Sequence, residues 1–444
     1  METHVCGKPL TFKRFSIFVL NAFYKEESVE LKIRSYDKIV QLVNKGVDIP
    51  NPSTLDIGKE VDLERISGNG VKIYPGCRIY GEKTVISAGS QIGYEGPVTI
   101  DECQIGPNVE LKAGYFNKAV FLEKANMGLG AHVREGCILE EEAGGAHCVG
   151  LKQTILFPFV TLGSLINFCD CLMAGGTSRK DHSEVGSSYI HFNFTPDGDK
   201  TTASLIGDVS RGVMLNQPPI FLGGQGGMVG PLRIGYGNIV AAGTILRKDI
   251  IEENKLIFSK NMPNVMIDNN PRSYPAISRV VGNNIIYLAN LVALEHWYTH
   301  IRQPFFRKQE FGELIYAGAM DKLLSAKKER IKRLRDMADK TKASLEKYPD
   351  KKYEAGKKEF YAAADKIQEM FTNDPASNLN VELRDSFLAV INIQKQDNDK
   401  NYIEFIKSLP VDVSSAGVKW LEAIIDSLCN ETGRLMPSLN LFNK

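Results

Sequence analysis

The chain of 444 residues has little that would mark it for a membrane, a nucleic acid or an oxidising compartment. No run of eighteen or more apolar residues appears, so no stretch reads as a transmembrane helix. The start, METHVCGKPLTFKRF, scatters its charges instead of leading into the apolar core of a secretory signal. Lys and Arg total 54 against 53 for Asp and Glu, a formal net charge of +1, and that balance offers no global field to attract DNA, RNA or anionic lipid. The eight cysteines include no Cys-x-x-Cys pair, which removes the usual zinc and redox spacings and leaves reduced, packed thiols. Cys169 and Cys171 flank Asp170 without the companion ligands a metal needs, so no metal is expected. Together these absences predict a cytoplasmic protein with neither nucleic acid nor membrane as partner.

What the chain does have is a six-residue period. Ile73, Ile79 and Val85 are six apart, then Ile92 and Val98, Ile105 and Leu111, and much later Ile234 and Val240. An amphipathic helix repeats at three and four and a half-exposed strand alternates strictly, whereas a hexapeptide period belongs to parallel β-helices. Glycine follows the aliphatic at Ile92-Gly93, Ile105-Gly106, Val185-Gly186, Ile206-Gly207, Val229-Gly230 and Ile234-Gly235, where positive φ or close backbone approach is tolerated. A β-sandwich with glycine turns is the alternative. The fold expected is mainly β, a parallel β-helix of hexapeptide repeats over residues 67–262.

A small mixed cap, residues 1–66, precedes it, with an apolar stretch FSIFVLNAFY and a helix SYDKIVQLVNKG that places Ile39, Val40, Leu42 and Val43 on one broad face. Solenoid ends need such caps because they otherwise leave strands and interior uncovered. Residues 263–444 lose the period and read as an α-helical domain. Within it, NNIIYLANLVALEHWYTHIRQPFF carries a dense apolar face, Lys327 to Lys347 reads as a solvated helix, and VELRDSFLAVINI and VKWLEAIIDSLCNETG continue as amphipathic helices. The segment VSRGVMLNQPPI before FLGG interrupts the repeats and is expected at the site, at a subunit interface, or as a plain capping loop.

Two segments carry a family signal: NFTPDGDKTTASLIGD, and FLGGQGGMVGPLRIGYGNIVAAGTILRKD after it. They resemble the acetyltransferase half of the bifunctional bacterial enzymes that make UDP-N-acetylglucosamine, over about residues 100–250. The resemblance implies a left-handed β-helix, a homotrimer, and transfer from acetyl-coenzyme A to glucosamine 1-phosphate. It implies further that Arg134 and Lys152 contact the sugar phosphate, and that Asn193 and Lys200 match a substrate loop with two residues inserted before Asp197. Gly224 and the Ala241-Ala242-Gly243 run match the close approach of backbone to coenzyme A. The nucleotidyltransferase half has no counterpart in the 66 residues before the solenoid, too few for a nucleotide-binding α/β domain, so uridylyl transfer is not expected.

The departures fall on the chemistry. Counting back from Asp170, Ser164 stands where that family has its catalytic histidine and Asn167 where it has a tyrosine. An acyl transfer to an amine needs a proton acceptor working near neutral pH, a task suited to imidazole. His182, in an insertion with Arg179 and Lys180, and His191, two residues before Asn193, are the candidate replacements, with Arg179 and Lys180 as further phosphate ligands. Two functions stay open on these residues, a hexapeptide-repeat acyltransferase on a sugar phosphate or nucleotide sugar, and a non-catalytic sugar-nucleotide sensor or trimeric scaffold. A weaker third, a metalloenzyme of the carbonic-anhydrase type, requires His132, His147 and His182 to converge.

Overall fold

The computed structural model describes residues 34–259, 264–269, 273–347, 353–372, 380–396 and 400–442. The stretch FSIFVLNAFY and Cys6 lie outside them. The six-residue period becomes a parallel β-solenoid of about 11 turns. All nine residues that define the period are at most 2% exposed, which is the burial that makes a branched aliphatic worthwhile at each position. On one face an interior ladder runs in register through Ile73, Ile92, Leu111, Met127, Gly145, Leu162, Val185, Leu222, Val240 and Ile257. The other two faces form one sixteen-stranded sheet. They merge because strands Gly150–Leu156 and Asn167–Met173 round the corner between them without breaking, with Gln153 at φ 48° and Asp170 at φ 58° taking the left-handed bend.

Glycine serves the corners mainly through close stacking. Of the six aliphatic-glycine pairs only Gly93 and Gly207 adopt left-handed φ, and many other corners are turned by residues such as Asn108, Lys124 and Glu142. A Cβ on Gly186 would lie 2.4 Å from the Gly224 nitrogen in the next coil, a separation that real side chains do not reach.

Helix Tyr36–Lys45 packs at the N-terminal end. Ile39 and Leu42 are buried, whereas Val40 and Val43 are exposed, so its inward face is narrower than the sequence reading. Lys38 Nζ donates to the carbonyls of Gly58, at 2.9 Å, and Val61, at 2.7 Å, tying the helix to the first coils.

The helices after residue 273 pack on the solenoid. Helix Ile277–Trp297 continues through Tyr298–Arg302 to Phe306. Its length and composition would suit a membrane span, but 78% of its apolar window is buried inside the fold, as befits a core helix. Its asparagines reach the coils: Asn284 Nδ2 donates to the Thr201 carbonyl at 3.0 Å, and Asn290 Oδ1 accepts from the Val209 amide at 2.9 Å. The insertion at residues 209–220 buries Val209, Val213, Met214 and Leu215 against this helix and helix Val411–Leu435, so it joins the two parts of the chain.

The helix Gly312–Lys347 departs from the solvated reading. It lies along strands Gln104–Ile105, Ala119–Phe121 and Cys137–Leu139 and buries Lys322, Lys327 and Arg330. Buried charges persist only when paired, and each is: Lys322 with Asp321 at 2.8 Å, Lys327 with Glu295, and Arg330 with Asp170 at 2.8 Å. A second buried cluster joins Arg302 to Glu140 at 3.4 Å and Glu141 at 2.5 Å, with the guanidinium 3.9 Å from the Tyr402 ring centroid. Burial pushes the Glu140 carboxyl up to about 7 despite Arg302 beside it.

Candidate functional site

Strand register sorts the sequence-derived residues into columns along the solenoid. Where Gly145, Leu162, Val185, Leu222 and Val240 are partners in successive coils, the residues two positions later stack at one corner. That column reads His147, Ser164, Ser187, Gly224 and Ala242. Gly224 and Ala242 thus lie on one edge with Ser164. The edge stays narrow because its neighbours are small: a Cβ on Gly223 would lie 2.4 Å from the Ala242 nitrogen, and one on Gly224 would lie 2.6 Å from the Ser187 carbonyl oxygen.

Past that corner begins an outward face. His132, Gly150, Asn167 and Ile190 form its first column. Arg134, Lys152 and Cys169 form its second, in register by the pairing of Lys152 with Cys169 and the 2.8 Å bond from the Arg134 amide to the Leu151 carbonyl. Arg134 and Lys152 therefore occupy adjacent coils, about 5 Å apart along the axis. Both flank Glu135: Lys152 Nζ is 2.8 Å from Glu135 Oε1 and Arg134 Nε 3.8 Å from Oε2. Burial pushes the Glu135 carboxyl up, but the hydrogen bond and charge of Lys152 outweigh it and hold the group below its ordinary range.

The next corner carries Glu135, Gln153, Asp170 and Asn193, and here the long helix closes in. Glu135, Lys152 and Gln153 face Lys328, Glu329 and Lys332 across a cleft of about 450 Å³. Deeper, Arg330 Nη2 lies 2.8 Å from Asp170 Oδ1 and Nη1 donates to the Lys200 carbonyl at 3.0 Å. The Thr202 hydroxyl sits 2.7 Å from Asn193 Oδ1 and 3.3 Å from Asp170 Oδ2. Burial raises the Asp170 carboxyl against the opposing pull of Arg330. Lys340 Nζ donates to the Asp197 carbonyl at 2.8 Å, so the 193–202 loop is clasped along its length.

The other expected residues separate from this face. His191 alternates with exposed Ile190 and points into the solenoid, buried, its Nε2 2.8 Å from Ser204 Oγ. Burial lowers its pKa to about 4, so it stays neutral at pH 7. His182 sits in a two-stranded antiparallel ribbon, Gly176–Ser178 with Asp181–His182. Beside it Arg179 Nη1 donates to the carbonyls of Glu142, at 3.1 Å, and Phe159, at 3.0 Å, and to Thr161 Oγ1, at 2.8 Å. That guanidinium ties down a different corner, while Lys180 is exposed there. His132, His147 and His182 thus lie on a face, a corner and a ribbon, and they do not converge. Among the described residues no group of three His, Cys, Asp or Glu is placed to hold a metal ion.

Comparison with known proteins bears on this geometry. No family model matches the chain. The bifunctional protein GlmU of Thermotoga maritima is 27% identical over 214 residues, 48% of this chain and 42% of that one. The GlmU of Trichlorobacter lovleyi is 26% identical over 212 residues, 48% and 41%, and that of Pelobacter propionicus 28% over 211 residues, 47% and 40%. The chain resembles the hexapeptide-repeat acyltransferases, specifically the acetyltransferase domain of GlmU. It spans less than half the length of these curated relatives.

Against that resemblance the structure adds pairings the sequence reading missed. Ser164 Oγ lies 2.8 Å from His147 Nδ1, so an imidazole stands one coil below the position where the hexapeptide-repeat acyltransferases led us to expect one. The available signal was the coil length: His147 is 17 residues before Ser164, one turn of the solenoid. Arg330 lies 160 residues from Asp170, and no local pattern connects the two.

Proposed function

We propose that the protein is an acyltransferase of nucleotide-sugar metabolism, moving an acetyl group from acetyl-coenzyme A to an amino-sugar phosphate. The observation that supports this best is the shared edge. Small residues Ser187, Gly224 and Ala242 line one corner as a track for the pantetheine arm, the track ends at Ser164, and Arg134 and Lys152 stand on the adjoining face. Paired long cations on neighbouring coils suit a phosphate, which each contacts through charge-assisted hydrogen bonds. In the site, Arg134 and Lys152 exchange the Glu135 carboxylate for the substrate phosphate, Asn193 and Lys200 close the far side, and the narrow edge holds the thioester against the acceptor amine, so that proximity supplies part of the rate.

The same reading carries a homotrimer with it. The outward positions Phe221, Ile239 and Leu256 are successive partners on one face and all are exposed, an apolar ladder for neighbouring copies to cover. It also carries a cytoplasmic location, where thiols stay reduced.

A thermal-shift titration tests the proposal. A ligand bound only by the native state raises apparent stability by RT ln(1 + [L]/Kd), about 2.7 kcal/mol at a hundredfold excess over Kd. Acetyl-coenzyme A and glucosamine 1-phosphate should each raise Tm, and together release free thiol. No response to acetyl-coenzyme A would refute it. The second reading, a non-catalytic sugar-nucleotide sensor, draws support from Arg330 and Lys340 clasping the substrate loop, and it expects a shift with UDP-sugars alone.

A further inference from the structure

A relocated acyl-transfer site needs an imidazole that meets solvent beside the reacting atoms, and the histidines differ sharply in this. His191 is inside the coil, His182 is in the ribbon held by Arg179, and His132 is exposed but leans edge-on against Tyr115, ring centroids 5.5 Å apart, on the face and not in the corner column of Gly224 and Ala242. His147 is exposed, at the corner, in the same column as Gly224 and Ala242, with Ser164 between it and them.

We infer that His147 is the general base of this site and that Ser164 is the residue that positions it. The inference rests on the acyltransferase reading above. The Ser164 amide donates to Ser187 Oγ at 3.2 Å, and the Ser188 amide donates to the Ser164 carbonyl at 2.8 Å, so the serine is fixed from the coil above. With the proton on Nδ1 donated to Ser164 Oγ, the Nε2 lone pair is left facing solvent. Serine thus keeps the place of the missing ring and hands its function to the coil below, a displacement of about 5 Å along the axis.

The step balances without a further reagent. The neutral acceptor amine attacks the thioester carbonyl carbon, a C–N bond forms, and the amine proton passes to His147 Nε2. The tetrahedral intermediate then breaks its C–S bond, and the departing sulfur takes that proton from the imidazolium. The products are the amide and the free thiol, and His147 returns neutral.

The test measures thiol release from acetyl-coenzyme A with glucosamine 1-phosphate, alongside thermal shifts with each ligand alone. His147→Gln should lower kcat about 10²–10⁴-fold while both thermal shifts persist, and the ascending limb of the kcat/KM pH profile should disappear. His132→Gln and His182→Gln should retain wild-type kcat. Ser164→Ala should displace the ascending limb and lower kcat less than His147→Gln, with KM little changed, a pattern that a merely structural serine would not give. Wild-type turnover in His147→Gln, with both ligand shifts intact, overturns this inference and leaves the acyltransferase reading standing. Absence of ligand response and turnover in the unmodified protein overturns the two together.

Discussion

Acidification should favour the unfolded chain, whose histidine accepts a proton before the buried His191 does, and so reveal how much stability that neutrality represents. An ordinary histidine titrates at 6.5, and burial, the largest cause, brings His191 down to about 4, with the Arg330 charge acting in the same direction. The unfolded chain therefore takes up this proton more readily than the folded one. Stability from the group is fully present above pH 6.5 and is lost as pH falls from 6.5 through 4. A tenfold difference in proton affinity is worth about 1.4 kcal/mol, so the whole interval is worth about 3 kcal/mol and about 2.5 kcal/mol has gone by pH 4.5. Against a total of roughly 5–15 kcal/mol for a folded protein this is large. Asp170 acts oppositely, since burial raises its carboxyl and the folded state then gains on acidification. The informative quantity is thus the difference between wild type and His191→Gln, whose amide cannot titrate and still reaches Ser204. Urea unfolding followed by circular dichroism between pH 7 and 4.5 should show the wild type losing about 2.5 kcal/mol more than the variant. Parallel stability curves for the two would refute the buried, neutral histidine.

Other expectations follow from the same contacts. Arg330→Ala leaves Asp170 buried without its cation and should cost about 3–5 kcal/mol in urea unfolding, with much of the loss recovered when Asp170→Asn is added; equal stability of single and double variants would contradict the pairing. Ile92→Ala empties one rung of the interior ladder and should cost about 2–5 kcal/mol by the same measurement, whereas a loss under about 1 kcal/mol would mean the rung collapses freely. Ala242→Trp should abolish the thermal shift with acetyl-coenzyme A and preserve that with glucosamine 1-phosphate, if the small-residue edge is the coenzyme track. Losing both shifts in a folded variant would mean the two ligands share one subsite.

The sequence was most informative where structure repeats. Each coil needs an inward branched aliphatic at fixed spacing, so Ile73, Ile92 and Val240 announce their positions to a reader who counts. Close stacking of coils writes itself the same way, in Gly186 and Gly224, although φ proved a lesser reason for those glycines than backbone contact. Composition misled at the long helix. Lys327 and Arg330 look solvated in a charge-rich run, and they are tolerated as buried cations because Glu295 and Asp170 stand opposite them.

The candidate site divides along the same line. By itself the sequence determined the solenoid, because a repeating coil converts sequence spacing into spatial register, whereas Arg134, Lys152, Gly224 and Ala242 were singled out by resemblance to the hexapeptide-repeat acyltransferases and brought into adjacent coils by strand register. Only the tertiary structure decided that His191 turns inward while His147 stands exposed beside Ser164, since a strand turns neighbouring side chains to opposite sides and the side to which a given residue turns depends on the packed coil. It also decided that Asp170 and the 193–202 loop are held by a helix 160 residues away from Asp170. That contact depends on how two separately patterned parts of the chain pack together, and no period within either part encodes it.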